Sequence, residues 1–381
     1  MRITIVQGPF LPVPPLLGGA VERSMQTLAQ HWAAAGCSVT HISRRFPGLA
    51  EEESVAGVRH RRIPSSDAPA NPLLFRLREL GYVRRAIRAL PPADIVVANS
   101  VLMPIVLRSR RFGRVVPQLQ RPPKGQLRFY RHVDLVQTIS QDMRRRILAA
   151  APWLEGRVSV VGSPLAGPLA PVAPGTALPE REALVTYVGR LHAEKGLELL
   201  LQAFLSAAPQ VPGWRLQLIG PAEVNAGGSG EAYRRRLEGL AQRLPGLILL
   251  RPAIFEPAAL AAELRRSAVF AYPSLAERGE ALGLAPLEAA GQGAVPLVSA
   301  LACFEDFVTD GVSGAVFDHR AADPVAALAR RLGDLLRDRD GLRRLSAGAI
   351  SAAATYAAPL VAERYLADFR RLIGATAAAR S

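Results

Sequence analysis

Short apolar runs alternate with longer helical patterns, twice over, and this double series constrains the 381-residue chain more than any other feature. Ile3 to Val6, Ile95 to Val97, Val115 to Leu119 and Leu135 to Ile139 are brief and rich in Val, Ile and Leu, as strands of a parallel sheet buried on both faces must be. Glu22 to Ala35 has helical character and is closed by Gly36 before a strand-like Ser38 to Ile42; loops and a basic helix follow. A second series runs through Leu184 to Val188, a helix over Leu197 to Phe204, then Leu216 to Ile219, Leu247 to Leu250 and Val269 to Tyr272. Between the two, Ser163 to Leu178 carries Pro164, Pro168, Pro171 and Pro174 without periodicity and reads as a linker. Val361, Tyr365, Phe369 and Leu372 recur at steps of three and four, the apolar face of a terminal helix. The expected organisation is a doubly wound α/β domain over 1–165, a linker over 166–180, a second over 181–356, and a closing helix over 357–381 that packs back on the first.

The length fits two domains of roughly 150 residues, and an apolar fraction of 49% excludes a disordered chain. Cys37 and Cys303 match no metal or redox spacing and read as small residues of a reduced, cytoplasmic compartment. Met1 leads directly into a strand, and no stretch approaches 18 apolar residues, so neither a leader nor a membrane span is expected. Charge is one-sided. Residues 1–170 hold 24 Lys and Arg against 10 Asp and Glu, a net +14 of the chain's +15. Such a field gathers anionic partners and suits the inner face of an anionic membrane. Solvated arginines are the plainer explanation. Nucleic acid is disfavoured as a partner because the excess lacks interleaved aromatics.

Chemistry concentrates at two strand ends. Gly189-Arg190-Leu191-His192-Ala193-Glu194-Lys195-Gly196 puts two cations in a turn between strand and helix, where a guanidinium fork, an ammonium and a helix N-terminus suit a diphosphate. His192 reads as a turn residue. After Tyr272, the run Pro273-Ser274 to Glu288 carries Glu280 in a loop and Glu288 within the first turn of a helix starting near Ala285, two carboxylates able to grip hydroxyls. Arg190 and Lys195 are expected at the surface of the cleft.

These motifs resemble the donor site of glycosyltransferase family 4, within the GT-B fold. The resemblance extends to Gly18-Gly19-Ala20-Val21-Glu22, Gln137-Thr138-Ile139-Ser140 and Asp310-Gly311-Val312-Ser313-Gly314, and covers essentially the whole chain. It implies two Rossmann-like domains facing a cleft and a retaining transfer from a nucleotide-sugar to an acceptor hydroxyl, with Arg190, Lys195 and Glu280 as catalytic candidates. Arg190 and Lys195 would hold the diphosphate behind Gly189, Glu288 the ribose, and Glu280 with the backbone of Ala281, Leu282, Gly283 and Leu284 the sugar. Arg251 to Ile254 would face the base, and Gly18 with Gly19 the sugar and phosphates. The family setting implies a saccharide or lipid-linked acceptor in cell-envelope polysaccharide, lipopolysaccharide or glycolipid synthesis. No cofactor is implied, the nucleotide-sugar being a co-substrate.

Two departures stand out. Ala281 takes the place of a glycine in the family's Glu-Gly-Phe-Gly, and Gln118-Leu119-Gln120-Arg121 stands where many members have a histidine. The second raises an alternative, a catalytically silent module that binds nucleotide-sugar or an anionic polymer. Asn99, Gln120 and Lys124 are the acceptor-side candidates. Lys124 is notable because it and Lys195 are the chain's only lysines, each before a glycine. No metal is expected: the one Asp-x-Asp, Asp338-Arg339-Asp340, lies in an Arg-rich helical stretch, and Arg190, Lys195 and the helix dipole would supply the positive charge.

Overall fold

The computed structural model describes residues 1–176 and 179–378; Ala177 and Leu178 of the Pro-rich stretch, and 379–381 of the terminal segment, lie outside the described residues. The chain divides into two compact units, one of residues 1–164 with 358–381, the other of 165–357.

The first unit contains β1 (Arg2–Val6), α1 (Ala20–Ala34), β2 (Ser38–Arg44), β3 (Glu52–Val55), β4 (Val58–Ile63), α2 (Pro72–Ala89), β5 (Ile95–Ala98), α3 (Met103–Val106), β6 (Arg114–Leu119), β7 (Val136–Thr138), α4 (Gln141–Ala150) and β8 (Val158–Val160). The second contains β9 (Glu182–Val188), α5 (Leu197–Ala207), β10 (Arg215–Ile219), α6 (Glu231–Ala241), β11 (Ile248–Arg251), α7 (Pro257–Arg266), β12 (Ser267–Tyr272), α8 (Leu284–Gly291), β13 (Val295–Ser299), β14 (Ala315–Phe317), α9 (Pro324–Arg337) and α10 (Arg339–Ala354). The chain then returns to the first unit as α11 (Ala358–Ala378).

Each sheet is doubly wound, as the alternating pattern predicts. In the first unit the strand order is β3-β4-β2-β1-β5-β6-β7-β8, with only the β3–β4 pairing antiparallel among the described residues. In the second it is β11-β10-β9-β12-β13-β14, parallel throughout those residues. The order reverses beside β1 in one sheet and beside β9 in the other. At such a switch point the helices on either side diverge, leaving a crevice at the carboxyl ends of the two central strands.

The β3–β4 hairpin has no counterpart in the sequence reading, because β3 is charged and exposed and β4 interleaves its buried Val58 and Ile63 with Arg59, Arg61 and Arg62. Glu52 accepts from Arg59 Nη2 and Arg61 Nε, each at 2.9 Å, across the antiparallel register. A charged edge strand discourages pairing with another sheet.

The terminal helix belongs to the core of the first unit. Trp32 on α1 donates to the carbonyl of Ala362 at 3.2 Å and lies 5.5 Å from the rings of both Tyr365 and Phe369, all three side chains fully buried. The chain Tyr365 Oη to Gln118, Gln118 to Gln137, and Gln137 to Asp368 is hydrogen-bonded at 2.9, 3.0 and 2.9 Å. The Pro-rich stretch expected as a linker packs on the second unit over its described part. Leu165 and Leu169 are buried, Val172 N donates to Gly291 O at 2.8 Å, and Gln292 donates to the carbonyl of Ala170 at 2.7 Å. The backbone of this stretch therefore finds partners that its composition does not advertise.

Candidate active site

In the second unit the switch point lies between β9 and β12, and their carboxyl ends lead into the two motif loops. Contacts between the backbones hold the loops together. Leu275 N donates to Glu194 O at 2.8 Å, and the Cα of Gly196, at φ 68°, comes so close to the next loop that an added Cβ would sit 2.1 Å from the carbonyl oxygen of Pro273. Only glycine allows that approach at that backbone angle.

This apposition sets Lys195 against Glu280, 85 residues away. Lys195 lies deeper than the surface position expected for it: it is 7% exposed, and its Nζ donates to Glu280 Oε1 and lies 5.4 Å from the centroid of the Tyr272 ring. Glu280, 8% exposed, also accepts on Oε1 from Tyr272 Oη and Ser274 Oγ, each at 3.0 Å. Three donors thus converge on one carboxylate oxygen, which makes the buried charge tolerable. Burial, and then the Glu280 charge, push the Tyr272 hydroxyl well above its ordinary pKa, so it stays a donor.

Arg190 is half-exposed, as expected. It donates to the carbonyl of Gly227 at 2.9 Å and to Glu194 Oε1 at 3.0 Å. The Lys195 ammonium lies 3.8 Å from that same Glu194 oxygen. The loop's two cations are therefore matched by Glu194 and Glu280. His192 caps the turn, its Nδ1 accepting from Glu194 N at 3.3 Å, which is the turn role read for it.

Gly283, at φ 75°, forms the N-cap of α8, so Leu284 opens the helix and Ala281 and Leu282 precede it. Glu288 is the fifth residue of this helix, which begins one residue earlier than expected, and is buried. Arg251 is committed within its own unit, donating to Gln217 Oε1 at 2.8 Å and pairing with Glu263 at 2.9 Å. Ile254 is half-buried just beyond β11. Asp338 of the Asp-x-Asp caps α10, accepting from Gly341 N at 2.7 Å.

Three residues of this constellation are given no role by the sequence reading: Tyr272, Ser274, which stands in the quoted motif, and Ser229, whose Oγ accepts from Ala193 N at 3.1 Å. Their available signals were a Tyr-Pro-Ser at a strand end and a Gly227-Gly228-Ser229-Gly230 run after β10.

In the first unit, Gln7 and Asn99 follow the two central strands at the switch point, with Gly18 and Gly19 before α1. Gln7 donates to Glu22 Oε1 at 3.0 Å; its own Oε1 lies 3.3 Å from His41 Nε2 and accepts from Asn99 Nδ2 at 3.4 Å. Burial raises the Glu22 carboxyl and lowers His41 to about 3, so the imidazole is neutral. Gln120 is half-buried after β6, and Lys124 is exposed in the following loop. Gln118, from the segment standing where a histidine was expected, is buried and taken up by the α11 network.

Comparison with known proteins accords with this geometry. Residues 19–164 match the family described as glycosyl transferase 4-like domain, and residues 173–351 match glycosyl transferases group 1. D-inositol 3-phosphate glycosyltransferases of Thermomonospora curvata and Nocardioides sp. are 32% and 31% identical over 207 and 203 residues, 53% and 51% of this chain. These matches span about half the length of those relatives, 46% and 43%. Among solved structures, sucrose-phosphate synthase from Thermosynechococcus elongatus aligns over 98% of this chain and all of its own, with a TM-score of 0.77 at 22% identity. Anabaena Alr3699/HepE in complex with UDP and glucose aligns over 97% of this chain and all of its own, with a TM-score of 0.72 at 16% identity. These likenesses show the GT-B fold.

Proposed function

The chain belongs to the family-4 type of glycosyltransferases, built from a 4-like domain and a group 1 domain, and from that premise we propose that it moves a sugar from a nucleotide-sugar to a hydroxyl of an anionic acceptor with retention of configuration. The observation that carries this reading is the Lys195–Glu280 contact, with Tyr272 and Ser274, at the β9/β12 switch point. A cation and a carboxylate placed side by side meet the two halves of such a donor. The carboxylate accepts from sugar hydroxyls, while Arg190 and Lys195 face the diphosphate, which takes over the balancing role Glu194 plays without it. Glu288 accepts from the ribose hydroxyls.

In the reaction the bond from the anomeric carbon to the diphosphate oxygen breaks and a bond to the acceptor oxygen forms on the same face. The acceptor proton passes to the departing phosphate. Negative charge grows on the leaving group as the bond breaks, so Arg190, Lys195 and the N-terminus of α8 act more strongly there than in the ground state, without a metal in this reading. Charge supports an anionic acceptor. The first unit holds 28 basic against 12 acidic residues, a net +16, and the second 19 against 20, a net −1. A lipid-linked saccharide of the cell envelope at an anionic membrane surface fits that field; so does a phosphorylated polyol of the kind named for the relatives. Among the described residues no helix is long and apolar enough to cross a membrane.

A panel of UDP-, GDP-, ADP- and dTDP-sugars, scored for rise in melting temperature and for slow hydrolysis, tests the reading, since a ligand of the native state raises its stability by mass action. One preferred and hydrolysed donor is the expected result, with weaker binding by Glu288→Gln. The segment 118–121, which lacks the family histidine, favours the second reading of a silent binding module. A donor that binds without any turnover would establish that instead, and a flat panel would remove both.

A further inference from the structure

The first unit carries a basic concavity remote from its switch point. The last turns of α2 and the segment after α3 line an open concavity of about 590 Å³, and Arg84, Arg88, Arg108 and Arg111 are among its lining residues. Arg84 and Arg88 stand four residues apart on one helix face, where like charges repel. Arg108 donates to the carbonyl of Ile105 at 3.3 Å, and Arg111 lies 4.4 Å from the centroid of the Phe112 ring. No carboxylate lines the concavity among the described residues. The nearby acid, Asp134, is already paired with Arg110 and Arg114.

Position separates this site from the chemistry described above. α2 runs opposite to the strands it connects, so its C-terminal turns lie at their amino ends. The segment after α3 is pinned at the same end, where Arg114 N donates to Asp94 O at 2.9 Å. Asn99 and Gln120 follow the carboxyl ends of β5 and β6. Substrates of doubly wound sheets bind at the carboxyl ends, so four guanidinium groups gathered at the amino ends answer to something else.

We infer that this concavity is a binding site for a multiply charged phosphate group. Guanidinium forks match phosphate oxygens in pairs, and four of them without a carboxylate suit two or more negative charges better than one. The rim has an apolar side, with Phe112 half-buried and Val106 39% exposed. The phosphate can thus come from a free diphosphate or from the headgroup of a lipid whose chains meet that rim.

The test uses the full chain and two sets of variants. Arg84→Gln with Arg88→Gln, and Arg108→Gln with Arg111→Gln, alter exposed side chains and should leave the melting temperature close to the parent's; the pairs are measured separately so that neither depends on the other folding. Arg190→Ala controls for the donor loop, which can also take a diphosphate. Inorganic pyrophosphate binding is measured by calorimetry, and vesicle binding by flotation with phosphatidylcholine alone and with phosphatidic acid added. A pyrophosphate site that persists in Arg190→Ala and weakens about tenfold or more in both arginine pairs is the expected result for a free diphosphate. Loss of binding only to the phosphatidic acid vesicles in the same pairs assigns the site to a lipid headgroup. Pyrophosphate and vesicle binding unchanged in both pairs overturns the inference, as does duplex DNA binding that those pairs abolish while the phosphate probes show none.

Discussion

The two units share the doubly wound order of their central strands and furnish their switch points with opposite chemistry. At the carboxyl ends of β9 and β12, charged groups meet: Lys195 is buried against Glu280, with Tyr272 and Ser274 donating to the same oxygen. At the ends of β1 and β5 the groups are neutral amides and a neutral imidazole, Gln7, Asn99 and His41, around one strained carboxyl, Glu22. The bulk charge runs the other way, +16 in the first unit and −1 in the second. Net charge therefore says nothing about where a fold buries its charges. The basic excess lies on the surface of one unit, and the compact cation–carboxylate pair lies in the crevice of the other.

The sharpest way to break this comparison is Lys195→Ala. Stranding Glu280 in the crevice without its cation should cost about 3 kcal/mol or more in stability, and turnover should fall on the order of tenfold to a hundredfold. Differential scanning calorimetry beside turnover at saturating donor reads both. The paired change Lys195→Met with Glu280→Gln should recover much of the stability and none of the turnover. A single variant that melts and turns over like the parent would falsify the buried pair as a functional unit.

Alanine at two glycines gives the next largest contrast. At Gly196 the new Cβ would meet the Pro273 backbone at 2.1 Å, with φ at 68°. At Gly19 it would meet the Glu22 side chain at 2.3 Å, with φ at 108°. A side chain can swing aside and a backbone carbonyl cannot, so Gly196→Ala should exceed the roughly 1 to 3 kcal/mol cost of a strained backbone position, and Gly19→Ala should stay near it. Equal losses in urea denaturation would show that the first unit's loop is as tightly held as the second's.

A smaller effect separates the neutral switch point from the charged one by pH. Glu22 has a raised pKa in the folded state, so its contribution is fully present below the ordinary carboxyl range and is lost as pH rises through the raised value. Glu22→Gln carries no such charge. Its melting temperature relative to the parent should improve steadily from about pH 4 to pH 7, and a difference that does not change with pH would show that burial imposes no penalty on the ionised carboxyl.

The smallest effect should come from the rim of the second unit. Hydrogen bonds from Arg320 and His319 lower the pKa of Glu277, so this stabilisation is present above the ordinary carboxyl range and fades as pH falls through the depressed value. Glu277 is half-exposed, and Glu277→Gln should cost less than about 1 kcal/mol at neutral pH. A larger loss in the urea midpoint would mean that charge outside the crevice matters as much as charge within it.

The central strands of both sheets, some of the helices between them and the two motif loops were legible in the sequence, because strand and helix periodicities and glycine stops are local signals that survive without a fold. The two donor-loop cations and the two glutamates were legible for the same reason, as clusters at strand ends. Partnership was not. Lys195 and Glu280 are 85 residues apart, and nothing local foretells that Gly196 will let one backbone close on another and bury the ammonium. The β3–β4 hairpin escaped because β3 is charged and exposed and arginines interrupt the apolar pattern of β4, and the packing of 165–176 because its partners, Gly291 and Gln292, lie over a hundred residues away. Likewise the first 170 residues announced an arginine excess, but only the antiparallel run of α2 against the strands brought Arg84 and Arg88 to Arg108 and Arg111. Composition and periodicity decide which elements form. Which side chains meet is decided by the three-dimensional path of the chain, through contacts whose energy depends on distance in space and not on separation along the sequence.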